Sequence, residues 1–182
     1  GGARASIIPD KATMQIYVRS LYTETLMDLS QRVDDVLRGA AQMTGTGVEI
    51  NWDNHPMSLP VRNNEALAAR WGATQVRRGR DVLPAGILLD SQAASTDFGN
   101  VSHLVPGIHP LLKIAPQGTP LHTVDFAEAA ITDDALSGAF DAAVGLAQVI
   151  ADVLNDPELL RQAREEFEAA GGPVSVTELL EG

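Results

Sequence analysis

Over residues 13–19 apolar and polar side chains alternate with a period of two: Met14, Ile16 and Val18 fall on one side, Thr13, Gln15, Tyr17 and Arg19 on the other. That period predicts a half-buried β-strand. The spacing then lengthens. Leu26, Leu29, Val33, Val36, Leu37 and Ala40 recur at three- and four-residue steps, which predicts an amphipathic helix over 24–43 with Asp28, Arg32, Asp35 and Arg38 facing water. The run TGTG at 44–47 ends that helix, and VEINW at 48–52 reads as a second strand. Strand, helix and strand in this order fit a right-handed crossover or a layer of helices on one sheet face.

Periodicity then breaks. Residues 53–64, DNHPMSLPVRNN, hold two prolines, three asparagines and His55, a composition that predicts a linker. This divides the chain into a unit over 1–54, a linker over 55–64 and a second unit over 65–182. In the second unit a short helix is expected over 65–71 and a basic turn at 77–81. A strand or loop is expected at 85–90, and a short buried strand at 109–116. Helices follow at 123–130, 133–154 and 157–170, and the middle one carries Leu136, Phe140, Ala143, Val144, Ala147, Ile150, Ala151 and Leu154 on one broad apolar face. Thr123 is placed to cap the first of these helices, and Asp156-Pro157 to cap and open the last. The tail, 171–182, either frays or docks. The fold class expected from this pattern is α/β.

Composition narrows the function more than the fold. Of the 182 residues, 45% are hydrophobic but only 4% aromatic, so the core must come from Ala, Leu, Val and Ile. A net charge of −11 disfavours a nucleic-acid backbone or an anionic membrane as partner. No apolar run approaches the ~18 residues of a membrane span. The absence of cysteine excludes disulfides, thiolate zinc sites and cysteine nucleophiles, and fits a cytoplasmic location. The chain opens on a glycine pair without an initiator Met, as a tag remnant or a piece of a longer protein would.

The densest polar stretch is STDFGNVSHLVPGIHP at 95–110. It sets Asp97, Asn100, His103 and His109 among glycines and prolines. Such a loop suits close backbone approach to a ligand, and equally suits a tight turn whose polar groups satisfy its own backbone. His103 and His109 are six residues apart, too far for one helical face. His122, between an apolar residue and a helix start, reads on these grounds alone as a surface loop residue. No P-loop, dinucleotide fingerprint, nucleophile elbow or HExxH motif occurs.

Three motifs in order, GGARASIIPDKATMQIYVRS, STDFGNVSHLVPGIHPLLKI and TPLHTVDFAEAA, resemble the C-terminal half of the metal-dependent amidohydrolases. That family includes aminoacylases, carboxypeptidase G-type enzymes and p-aminobenzoyl-glutamate hydrolases. The resemblance implies half of a ferredoxin-like lid and dimerisation domain over 1–54, then the C-terminal part of a zinc-peptidase-like α/β catalytic domain over 65–182. It implies hydrolysis of the amide bond of an N-acyl amino acid, an aminobenzoyl-glutamate-like compound or a dipeptide. The cofactor implied is a divalent metal, Zn or Mn, two per complete active site. His122 matches the late metal-binding histidine. Ser6, Asp97, Asn100, His103 and His109 fall where substrate contacts are expected. No catalytic residue is expected within these 182 residues. The partners implied are a small amide substrate, the missing N-terminal half and a second subunit paired through the lid edge at 14–19. The alternative is a non-catalytic interaction module derived from the same family.

Overall fold

The computed structural model describes residues 4–52, 57–84, 87 and 96–181. The chain divides into two compact units, Gly1–Asn54 and His55–Gly182.

In the first unit α1 runs from Thr23 to Thr44. It ends on Gly45 in the left-handed region (φ 68°). There the N–H of Gly45 donates to the carbonyl of Gln42 and that of Thr46 to Ala41, the double bond that closes a helix when a glycine follows it. Leu26 is the buried residue of this helix, while Val36 on the same stripe stays exposed. Trp52 Nε1 donates to Asp34 on α1 at 2.9 Å, and Lys11 pairs with Glu49 at 3.3 Å.

The described residues of the second unit form six helices: α2 (Glu65–Arg77), α3 (Phe98–Ser102), α4 (Val124–Ala129), α5 (Asp133–Asn155), α6 (Pro157–Ala169) and α7 (Val176–Glu181). Helices α2, α5 and α6 pack on one another around Leu67, Trp71, Val149, Leu159 and Ala163. Side-chain oxygens start four of the six helices or their neighbours as local chemistry dictates. Asn64 accepts from the N–H of Leu67, Thr123 from Phe126, Thr132 from Ala135, and Asp156 from Glu158 and Leu159. Two long-range contacts finish the job. The Glu166 carboxylate accepts from the N–H groups of Glu65 and Ala66 at the start of α2. The Arg62 guanidinium donates to the carbonyls of Ala170 and Gly172 at the end of α6 while stacking on Phe167, 4.5 Å from the ring centre.

The described residues do not show the expected sheet: none of them is in a β-strand, and where α/β was expected they are mostly helical. Residues 13–19, 48–52 and 109–116 are not in strands, and Met14 is exposed rather than half-buried. The alternation at 13–19 is real, but a strand's backbone groups are satisfied only by a neighbouring strand, which no local pattern supplies. The segment expected at 85–90 lies, apart from Ile87, outside the described residues. Helix α2 runs six residues past its expected end, because Gly72 packs against Val82 (a Cβ there would stand 3.3 Å from its Cγ1) instead of breaking the helix. One expectation about membranes is also corrected: α5 is long and apolar enough to cross a membrane by length and composition.

Candidate functional site

The polar stretch folds into α3 and the turn after it, and its side chains reach back to residues 57–62. Gly99 makes this possible: a Cβ there would stand 1.8 Å from the Leu59 carbonyl oxygen, so no other residue allows the two backbones to approach. Asn100 accepts from the Leu59 N–H at 2.8 Å and donates to the Met57 carbonyl at 2.9 Å. Ser102, fully buried, accepts from the Arg62 N–H and donates to the Gly99 carbonyl. His103 Nε2 lies 3.0 Å from the Pro60 carbonyl. A carbonyl only accepts, so Nε2 carries the proton, and Nδ1 is buried with no partner among the described residues. Burial holds the His103 imidazole below its ordinary pKa, and Arg62 pushes the same way, against the Pro60 hydrogen bond. The ring is therefore neutral at pH 7. Its backbone carbonyl accepts from Val174 at 2.7 Å, which ties the tail to this knot.

The other expected site residues stand apart from that knot. Asp97 is exposed at the start of α3 and accepts from the Thr96 hydroxyl at 3.2 Å. His109 is exposed, its ring 5.4 Å from that of Phe98, and its N–H donates to Asn63. Ser6 is exposed in the first unit. His55 lies outside the described residues.

His122 has the most unusual backbone of the set. It is the one non-glycine residue with positive φ (62°) among those described, and its imidazole is exposed. A non-glycine residue in this region carries strain that its surroundings must hold in place. Those surroundings are Pro120, whose carbonyl accepts from the Thr123 hydroxyl at 2.8 Å, and the start of α4, which the same hydroxyl caps. The backbone on both sides of His122 is thus fixed while its ring points outward. Among the described residues no group of three or more His, Asp or Glu is placed to hold a metal ion.

Sequence reasoning missed one charged cluster. Asp141, buried in the middle of α5, is gripped by Arg78 Nε on one oxygen and by Arg80 Nε at 2.6 Å on the other. The two guanidiniums, Arg78 foremost, hold its carboxyl below the usual range. The signal is in the sequence: Asp141 is the one charge between Ala135 and Ala151, and a buried charge needs a partner. Arg80 also lines an open cleft of 750 Å³ with Lys113, Asp125, Glu128 and Asp134, a wall of both charge signs.

Comparison with known proteins finds curated peptidases to which the chain is similar. Xaa-Arg dipeptidase of Homo sapiens is 34% identical to it over 167 residues, 92% of this chain and 38% of the relative. The enzyme of the same name from Mus musculus is 33% identical over the same share. The chain thus spans about two fifths of the length of the curated relatives it matches. No protein-family model and no solved structure matches it.

Proposed function

We propose that this chain is the C-terminal portion of a metal-dependent dipeptidase or closely related amidohydrolase. Similarity to Xaa-Arg dipeptidases supports a dipeptide as substrate ahead of an N-acyl amino acid or an aminobenzoyl-glutamate-like compound. On this reading residues 1–54 are half of a lid that pairs subunits, residues 65–182 belong to the catalytic domain, and the protein works in the cytoplasm. The observation that carries the reading is His122, an exposed imidazole on a strained, braced junction inside the matched motif.

Imidazole nitrogen suits a borderline cation such as Zn²⁺ or Mn²⁺, and a ring with a fixed backbone pays little ordering entropy on ligation. His122 would hold the metal from this chain, with the remaining ligands supplied by residues beyond it. When bound, the metal polarises the amide carbonyl and acidifies a water molecule. The chain's own residues position. Asp97 and His109, exposed on either side of α3, are free to face a substrate, and Ser6 offers a hydroxyl from the lid half. Asn100 and His103 act one step back, holding α3 against residues 57–62.

The test is hydrolysis of Xaa-Arg dipeptides by the protein translated from the complete reading frame, before and after chelation. Turnover lost on chelation and restored by Zn²⁺ or Mn²⁺ supports the proposal. A folded, full-length protein that cleaves no dipeptide under either condition favours the interaction module instead.

A further inference from the structure

Two threonines in this chain make the same pair of hydrogen bonds, and only one of them follows a left-handed residue. Thr132 donates to the Ala129 carbonyl three residues back at 2.8 Å and accepts from the Ala135 N–H three residues on at 3.3 Å, which opens α5. Thr123 donates to the Pro120 carbonyl at 2.8 Å and accepts from the Phe126 N–H at 3.2 Å, which opens α4. Both threonines are exposed and extended, at φ −81° and ψ 161° for Thr132 and φ −118° and ψ 165° for Thr123. Ahead of Thr132 stands Ile131, whose φ is negative; ahead of Thr123 stands His122, at φ 62°. The paired bonds themselves therefore do not require a left-handed residue. At His122 the left-handed backbone is a separate feature that the bonds enclose.

What they do there follows from what surrounds them. A histidine left to itself favours the right-handed and extended regions, so a residue at φ 62° must be held. The core gives no hold, because α4 buries none of its residues and the His122 side chain is exposed. Among the described residues it is the Thr123 hydroxyl that ties the chain before His122 to the chain after it. Its proton goes back to Pro120 and a lone pair goes forward to Phe126, so one oxygen fixes both flanks. Pro120 adds a ring-locked φ of its own. The sign of φ decides from which side of the chain a Cβ leaves, so whatever keeps residue 122 left-handed also aims its imidazole.

We infer that Thr123 is the positioning residue for His122: its hydroxyl, bonded to Pro120 and Phe126, keeps residue 122 left-handed and presets the direction in which the imidazole meets a divalent cation. The inference rests on the proposed role of His122 as a metal ligand. Thr123 itself touches no metal. Without the hydroxyl His122 relaxes toward ordinary backbone, the competent ring direction becomes a fraction of the population, and the apparent affinity falls with that fraction.

The test titrates Co²⁺, whose visible absorption reports its ligand geometry, into chelator-stripped protein expressed from the complete reading frame. Thr123→Val keeps the branched shape and removes the hydroxyl; it should bind Co²⁺ about tenfold more weakly than the parent, with altered absorption bands. Thr123→Ser restores the hydroxyl and should return the affinity to within about twofold of the parent's. Thr132→Val removes the matching bonds at α5, so it should lower the melting temperature of the stripped protein and leave Co²⁺ affinity and spectrum unchanged. Parent-like Co²⁺ binding in Thr123→Val would overturn the inference, as would an equal loss in Thr132→Val or no recovery in Thr123→Ser. His122→Ala is titrated alongside. If it binds Co²⁺ as the parent does, the metal reading of His122 falls and the inference with it. If it loses Co²⁺ while Thr123→Val does not, the positioning role alone is removed.

Discussion

Gly145 of α5 lies against Trp71 of α2 so closely that a Cβ at 145 would stand 2.7 Å from the indole nitrogen and 2.3 Å from Gln75 Nε2. Both neighbours are buried, and Gln75 is further held by its hydrogen bond to the Asp141 carbonyl. The helix crossing is set by the absence of one methyl group.

Gly145→Ala should therefore destabilise the second unit. Helix propensity favours alanine by about 1 kcal/mol, but overpacking a closed contact costs roughly 1–3 kcal/mol, and here the contact wins. Gly39→Ala in α1 is the control, since nothing lies within 4 Å of its added Cβ. Urea unfolding should show a lower midpoint for Gly145→Ala and a higher one for Gly39→Ala.

Arg62→Ala should loosen the end of α6. It removes two charged hydrogen bonds and the stack on Phe167, and bonds of that kind contribute about 1.5–3 kcal/mol each when a partner is lost. Lysine lacks the planar fork that reaches both carbonyls, so Arg62→Lys should recover little. Hydrogen exchange at 170–174 reads the effect, and unchanged protection in Arg62→Ala would refute it.

These two contacts mark where sequence legibility ends. Thr123 and Asp156 are readable as caps because their partners lie two or three residues on, and α5 is readable because its apolar spacing is a property of the helix itself. Arg62 and Glu166 cap helices more than 98 residues away, and no local pattern announces that. The strands expected at 13–19 and 109–116 fail for the same reason in reverse, since alternation shows a face but not the neighbour that completes a ladder. Asn100 and His103 were legible as polar residues in a tight turn, one of two open readings. That their atoms are used on residues 57–60 depends on Gly99 meeting Leu59, a contact between segments 40 residues apart.

Acid should weaken the knot around His103. Burial lowers its folded pKa below that of the unfolded chain, about 6.5, so the folded state binds fewer protons. The stability this contributes is fully present above about pH 6.5 and is lost as pH falls from there through the folded pKa. Melting temperature should drop between pH 7 and pH 5. His103→Gln keeps a donor for Pro60 without a titrating ring and should flatten that slope; an unchanged slope would contradict the assignment.

Metal content by elemental analysis of the full-length protein tests His122 as a ligand of a catalytic metal, with melting temperature taken on chelator-stripped samples. His122→Gly removes the imidazole and also relieves the left-handed backbone, which costs a non-glycine residue about 1 kcal/mol. Stripped of metal by chelation, this variant should melt at or above the temperature of the equally stripped parent, and as prepared it should have lost most of the bound metal and most of the turnover. His122→Ala should lose the same metal without the gain in stability, and His109→Ala should keep its metal. Full metal occupancy in His122→Gly, or metal lost from His109→Ala instead, would contradict the account.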